Sequence, residues 1–401
     1  MTEYGSQASF PSTRTRRLES VDLLRGSVMI IMALDHVRDF MSDRIFLNPT
    51  DLATTTPGIF LTRWITHYCA PTFIFLAGTA AYLAGVRGKS KPSLSFFLFT
   101  RGLWLAFFEV TVNRVLWLFN FDIYHHGAGV FWAIGLSMVV LAPLVWLPTS
   151  VVTIIGAAMI ATHNLLDGLT AEQVNLPGWV WVILHSPGDA PVIGIITFGT
   201  GYCLIPWMGV MAVGYGFGKV LQLPDGIRQR TVFGLGAALT ASFLVLRGVN
   251  VYGDASVWQR QSTPIFTALS FLNCTKYPPS LLYLLMTLGP SITALALFDR
   301  PPGPIARPVI TFGRVPLFFY VLHIALIHGT AVIIDYVRFG WSPLANRGPW
   351  EIQAATSPPG YGLSLPAVYV VWIAVVFALY PACRWYARVK QRRRDFWLSY
   401  L

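Results

Sequence analysis

Charge is scarce in this chain: Asp, Glu, Lys and Arg make up 12% of its 401 residues, about half the share found in a soluble globular domain. That deficit excludes an ordinary soluble fold. Cysteine is equally sparse. Its four copies, Cys69, Cys203, Cys274 and Cys383, lie in or beside apolar segments with neither a CxxC pair nor Cys/His zinc spacing. Neither a disulfide framework nor a metal site is indicated, and the thiols read as free and buried. A cleavable leader is also missing: residues 1 to 16 are polar and rich in Ser and Thr, and the first apolar run is interrupted by charges without a small-residue cleavage site. The first apolar segment is therefore expected to stay in the protein. Heptads, short-period repeats and soluble domains are absent too, so the chain reads as one polytopic unit.

What is present is apolar surface: 54% hydrophobic residues, among them 14 Trp, 16 Tyr and 27 Phe, and a mean hydropathy of +0.56. About ten segments reach the ~20 residues a bilayer requires: 20–40, 58–84, 94–118, 129–147, 150–167, 192–221, 232–249, 278–298, 309–335 and 366–387. The net charge of +11 sits in short clusters between them, which reads as a topology signal and excludes nucleic acid as a partner. With the N-terminus inside, the inner flanks hold 17 Lys and Arg and the outer links 6. The expected fold is thus an all-α transmembrane bundle of about ten spans with both termini cytoplasmic and the lipid bilayer as partner. A disordered cytoplasmic N-terminus covers 1–16, the membrane domain 17–387 and a basic cytoplasmic tail 388–401. Four long links, 41–57, 168–191, 250–277 and 336–365, face outward and are placed to cover the mouth of a cavity. Two spans, 192–221 and 309–335, are Gly/Pro-interrupted and read either as close-packed helices or as broken helices lining a pocket. Oligomeric state is not fixed by the sequence, which allows a homo-oligomer.

Arg17 to Met41, RLESVDLLRGSVMIIMALDHVRDFM, is the most informative stretch: an apolar helix with Asp22 and Arg25 near its start and Asp35, His36, Arg38 and Asp39 near its end. Ionisable groups inside a membrane span are costly and mark functional sites. At ~1.5 Å per residue Arg25 and His36 stand roughly 16 Å apart, so one helix can touch both ends of a long thin ligand. His36 and Asp39 are spaced i, i+3, which lets a carboxylate hold one ring nitrogen and leave the other as a base. The alternative is an ion-pair cluster with His36 as bystander. Arg25 and Arg101 share a depth near the inner surface, where they either hold phosphates or snorkel to headgroups. On the second span His67 reads equally as a second site histidine or as packing. On the third, Glu109 and Asn113 share a face, and Glu109 has Arg114 or Arg63 as candidate ion-pair partners. His125 and His126 fall in a short polar loop. Lys276 sits at an outer span end, and of His323 and His328, spaced i, i+5, at most one can face a shared cavity.

The segments SVDLLRGSVMIIMALDHVRDF, CAPTFIFLAGTAAYL, WAIGLSMVVLAPL, LIPWMGVMAVGYGFG, TKYPPSLLYLLMTLG and FGRVPLFFYVLHIALIH resemble bacterial relatives of the heparan-α-glucosaminide N-acetyltransferase catalytic domain over roughly residues 17 to 387. The opening Asp-x-Leu-Arg-Gly also resembles a wider transmembrane acyltransferase clan, in which a histidine 14 residues after the aspartate is taken as catalytic; here that position is His36. The lysosomal enzyme has an asparagine there and a histidine after its first span, whereas residues 42–57 contain none. The resemblance implies a bacterial inner-membrane acetyltransferase that takes acetyl-CoA from the cytoplasm and acetylates a hydroxyl or amine, on a sugar or glycan, at the outer face. It places catalysis at His36; the helical spacing adds Asp39 or Asp35 as the carboxylate that orients it, and the second span offers His67 as the second candidate. Donor binding falls to Arg25, Arg101 and Asp22, and oxyanion or acceptor contacts to Asn113, Arg114, Lys276 and His323. No metal is expected. A proton-coupled secondary transporter or flippase using the same buried charges is the rival from another class, disfavoured by the absence of paired hydropathy halves.

Overall fold

The computed structural model describes residues 18–122, 124–193, 196–393, 395 and 398; the N-terminal tail expected at 1–16 lies outside them. The chain is mostly helical, with a small strand content. In order, the helices are α1 (Glu19–Met41), α2 (Pro57–Thr66), α3 (Cys69–Val86), α4 (Lys91–Phe108), α5 (Arg114–Leu118), α6 (Val130–Leu144), α7 (Thr149–Thr162), α8 (Gly178–Leu184), α9 (Leu204–Val220), α10 (Asp225–Val249), α11 (Pro264–Leu272), α12 (Leu281–Leu297), α13 (Ala306–Arg314), α14 (Pro316–Phe339) and α15 (Leu365–Arg392). Among the described residues, six stretches are long and apolar enough to cross a membrane: Pro57–Val86, Lys91–Leu118, Thr149–Leu166, Asp225–Val249, Pro316–Phe339 and Leu365–Arg392. Helix α1 has the length but carries charges at both ends.

Local sequence explains where these helices start. Thr56, Ser90, Thr263 and Ser280 each accept a backbone N–H of the following first turn, three of them with a proline at the opening positions, the arrangement that satisfies orphan donors at a helix N-terminus. Helix α1 is the axis of the fold. It packs against α2, α3, α12, α13, α14 and α15, and Met29, Ala33 and Val37 on it are fully enclosed. Its closest neighbour is α13, reached through glycine on both sides. A Cβ on Gly26 would lie 2.0 Å from the Val309 carbonyl oxygen, and one on Gly313 1.9 Å from that of Asp22.

Three breaks interrupt the helices that surround the axis. The second expected span bends between α2 and α3 at His67 and Tyr68, the third contains a π-helical turn at Glu109–Asn113, and the ninth breaks at Val315 ahead of Pro316. The broken-helix reading of 309–335 therefore holds, and that of 192–221 does not. Residues Ile196–Thr200 form a strand, and α9 starts only at Leu204 with Pro206 in its first turn, where a missing N–H costs nothing. Glycines of α9 serve contact: a Cβ on Gly214 would lie 2.2 Å from the Phe75 oxygen of α3.

The expectation of a purely α-helical molecule needs one correction. Strands β1 (His125–Ala128), β2 (Gly188–Ile193) and β3 (Ile196–Thr200) make a small sheet in the order β1-β3-β2, with β1 parallel and β2 antiparallel to β3. It forms because two links that leave the bundle at the same end meet there. At the C-terminus α15 runs on through Arg388 to Arg392, so the basic segment begins as helix. Arg247, at the end of the expected 232–249 span, is buried; it donates to the carbonyls of Phe271, Ser256, Ser270 and Asn273 and so organises the 250–277 link.

Candidate active site

A cavity of about 1370 Å³ opens at the sheet end of the bundle, larger than the ~300–1,000 Å³ typical of small-molecule pockets. All four long links reach its wall, with Pro49, Pro187, Tyr277 and Trp350 as representatives. Its floor is the last two turns of α1, where Asp35, His36, Arg38 and Asp39 stand.

The imidazole of His36 is 8% exposed, and its Nδ1 lies 2.7 Å from Nε2 of His323 on α14. His323 is fully buried, with its Nδ1 3.0 Å from the Phe319 carbonyl oxygen. The proton positions follow from that last contact. A carbonyl only accepts, so His323 Nδ1 carries a hydrogen and His323 Nε2 is left as an acceptor. His36 Nδ1–H then donates to it, which leaves the lone pair of His36 on Nε2. Trp117 and Tyr320 hold the ring edge-on at centroid distances of 5.0 and 5.9 Å, and Trp117 Nε1 donates to the Tyr320 hydroxyl at 2.9 Å.

The carboxylates expected to orient His36 are engaged elsewhere. Asp35 pairs with Arg38 at 2.7 Å and with Arg63, and accepts from the Thr66 hydroxyl at 2.9 Å. Asp39 pairs with Arg38. His36 thus donates to a histidine 287 residues away instead of to a carboxylate on its own helix. The cluster is not a solvated one, since Asp35 and Arg38 are 8% and 5% exposed. With Lys276 on the same wall, above the rings of Tyr202 and Tyr277, three cations face two anions. Arg38, which lines the cavity, has its Nη1 buried with no hydrogen-bond partner among the described residues.

The other expected site residues separate into those on the wall and those away from it. Asn113 and Arg114 line the cavity. Asn113 Nδ2 donates to Glu109 at 2.8 Å, and Arg114 is spent on the loop that follows it, donating to the carbonyls of His125 and Asn120. Glu109 has neither Arg114 nor Arg63 as partner. Its carboxylate accepts the N–H groups of Phe131 and Trp132, capping α6, whose N-cap Gly129 has no side chain to do so. His67 is buried at the α2–α3 bend, off the cavity wall; Tyr283 donates to its carbonyl oxygen. His328 lies between the carbonyls of Leu116 and Leu344, so it is His323 that meets His36. Asp122, at the rim, has its carboxyl pulled below the usual range by the Tyr124 N–H and by His125.

Arg25, Arg101 and Asp22 do not line this cavity. Arg25 donates to Asp22 and to the Gly313 carbonyl, each at 3.3 Å, and Arg314 on α13 adds a further cation, 3.3 Å from Glu19. Arg101 is on α4, over the Phe97 ring. The two arginines therefore occupy different helices, and the helix next to α1 at this end is α13.

Residues 17–255 match the family described as heparan-alpha-glucosaminide N-acetyltransferase, catalytic. The match takes in α1 to α10, with His36, Asp35, Arg38 and Arg63, and stops before Lys276 and His323. No curated protein matches the chain.

Proposed function

Because the chain belongs to the heparan-alpha-glucosaminide N-acetyltransferase catalytic family, we propose that His36 is the general base in transfer of an acetyl group from acetyl-CoA to an acceptor hydroxyl or amine. Family and apolar helices together make this an integral membrane protein of acetyltransferase type. The observation that supports the finer reading is the His36 to His323 hydrogen bond at the cavity floor, which leaves a lone pair on His36 Nε2.

The acceptor gives its O–H or N–H proton to His36 Nε2 while its heteroatom forms a bond to the thioester carbon. The carbonyl oxygen becomes an oxyanion, for which Arg38 Nη1 and the Lys276 ammonium are the available donors. Collapse restores the carbonyl, breaks the carbon–sulfur bond and expels the CoA thiolate, which takes the proton back from His36. His323 touches no substrate; it is a positioning residue that fixes the His36 tautomer. The acceptor enters from the sheet end, past tryptophan, tyrosine and carboxylate side chains suited to a sugar or glycan.

We assign the CoA phosphates to the opposite end, where Arg25 and Arg314 stand beside Asp22, with Arg101 as a more distant candidate. Between Arg25 and Met32, the innermost cavity residue of α1, the helix is packed over roughly 10 Å. The pantetheine arm must part that packing to deliver its thioester. The topology we assign has ten crossings, formed by α1, α2 with α3, α4 with α5, α6, α7, α9, α10, α12, α14 and α15, with both termini in the cytoplasm and the cavity facing outward. A bacterial inner membrane suits this arrangement.

The test is acetyl transfer by purified protein. His36→Ala should bind acetyl-CoA normally and lose about 100- to 10,000-fold in transfer rate, the range for removing a positioned base. Near-normal transfer in that variant removes His36 from the chemistry.

A further inference from the structure

The end of α7 carries a cluster that the transfer reading leaves unused. A 3-10 turn, His163–Leu166, follows α7 directly, Asp167 comes next, and His185 ends α8. One ligating atom from each of His163, Asp167 and His185 lies within 4.8 Å of the other two. His185 Nε2 and Asp167 Oδ1 are already 3.0 Å apart. The two histidines are 2% and 3% exposed. Both ring nitrogens of His163 and Nδ1 of His185 have no hydrogen-bond partner among the described residues.

Buried polar atoms are nearly always paired, yet of the four imidazole nitrogens here only His185 Nε2 is. A neutral imidazole always presents one lone pair, and a carboxylate presents only lone pairs. Once His185 Nε2 gives up the proton it shares with Asp167, each of the three residues can turn one lone pair on a common ion, and a divalent cation satisfies them together. We infer that His163, Asp167 and His185 form a binding site for a divalent first-row transition metal of the zinc class.

The donor set decides the class. Two imidazole nitrogens with one carboxylate oxygen suit zinc and its neighbours, whereas calcium and magnesium take oxygen ligands. Three protein ligands also leave a fourth position for water. The carboxylate is oriented in advance: Asp167 Oδ2 accepts from Asn164 Nδ2 at 2.8 Å, and Asn164 Oδ1 accepts the Leu281 N–H at 2.9 Å, at the start of α12. Tetrahedral zinc holds its ligand atoms about 3.3 Å apart, so the cluster closes on the ion by a shift on the order of an ångström. The proton shared by His185 and Asp167 leaves as the ion takes its place.

The location gives the site a consequence. Pro187, Gly188 and Asp189 follow His185 closely and line the large cavity. An ion at this cluster clamps the ends of α7 and α8 together and, through Asn164, ties them to α12, so it fixes one side of the cavity rim. This site stands independently of the acyl-transfer reading.

Chelator-stripped full-length protein in detergent, titrated with Zn²⁺ by calorimetry and with Co²⁺ by its d–d absorption, tests the inference. One ion per chain is expected, with stoichiometric uptake lost in His163→Ala and in His185→Ala. Asn164→Ala removes no ligand but releases Asp167, and should weaken affinity roughly 10- to 100-fold. Wild-type protein that takes up no stoichiometric Zn²⁺ or Co²⁺ overturns the site whatever the variants do. Undiminished uptake by folded His163→Ala, His185→Ala or Asp167→Ala overturns it as well, and unchanged affinity in Asn164→Ala overturns the part of it in which Asn164 orients the carboxylate.

Discussion

In the proposed reaction, which nitrogen of His36 meets the substrate depends on a residue that never touches it. In His323→Leu the His36 Nδ1–H faces an apolar wall and the tautomer is no longer held, so kcat should fall at least tenfold while the KM for acetyl-CoA stays near the wild-type value. His323→Gln, whose amide oxygen can accept that hydrogen, should recover part of the loss. Equal losses in the two variants would make His323 a packing residue. Asp35 behaves differently: it neutralises Arg38 and Arg63 inside the wall, and removing one partner of a buried pair costs about 3–5 kcal/mol. Asp35→Asn should therefore lower the unfolding temperature of the detergent-solubilised protein markedly, whereas a pure orienting role would leave it unchanged. His36 itself was legible in the sequence because its helix is apolar and charges stand out on it. Its partner was not, since spacing along one helix is silent about His323, and the carboxylates at i−1 and i+3 turned out to serve Arg38 and Arg63.

Helix α1 stays at the centre because α13 crosses it at glycine. A methyl group on Gly313 would meet the backbone oxygen of Asp22, which no rotamer change relieves, so the helices themselves must separate. Gly313→Ala should destabilise by about 1–3 kcal/mol, as overpacking does, and Gly313→Val by more, read as a fall in unfolding temperature. Gly303→Ala, with nothing within 4 Å of its Cβ, is the control and should be neutral. Elements of this kind were legible to the extent that they are long. An apolar run of about 20 residues announces α10 or α14, and Pro316 announces the break before α14. Strand β3 did not show, because ITFGT is short and contains glycine, and its parallel partner β1 lies 72 residues away in register. The π-helical turn at Glu109–Asn113 was equally invisible, although its effect, aiming Glu109 at the bare N-terminus of α6, explains a carboxylate that had been matched with Arg114 or Arg63.

Over the whole molecule the arrangement is polar in the sense that all four long links converge on one end and the Arg25 and Arg314 cations stand at the other. The charge asymmetry of 17 to 6 underlies the proposal that the link end faces outward, and the protein's own cysteines allow that to be read without first removing them. All four are free and buried, so a membrane-impermeant maleimide should find little to label in the unaltered chain. Phe121, 83% exposed between α5 and β1, and Ile305, 85% exposed between α12 and α13, mark the two ends. In intact cells Phe121→Cys should label at once, and Ile305→Cys only after the membrane is permeabilised. The opposite pattern would put the cavity in the cytoplasm and Arg25 outside. Acetyl-CoA would then reach His36 directly through the cavity mouth, the packed stretch of α1 between Arg25 and Met32 would never need to open, and transfer across the bilayer would no longer be the reaction to explain.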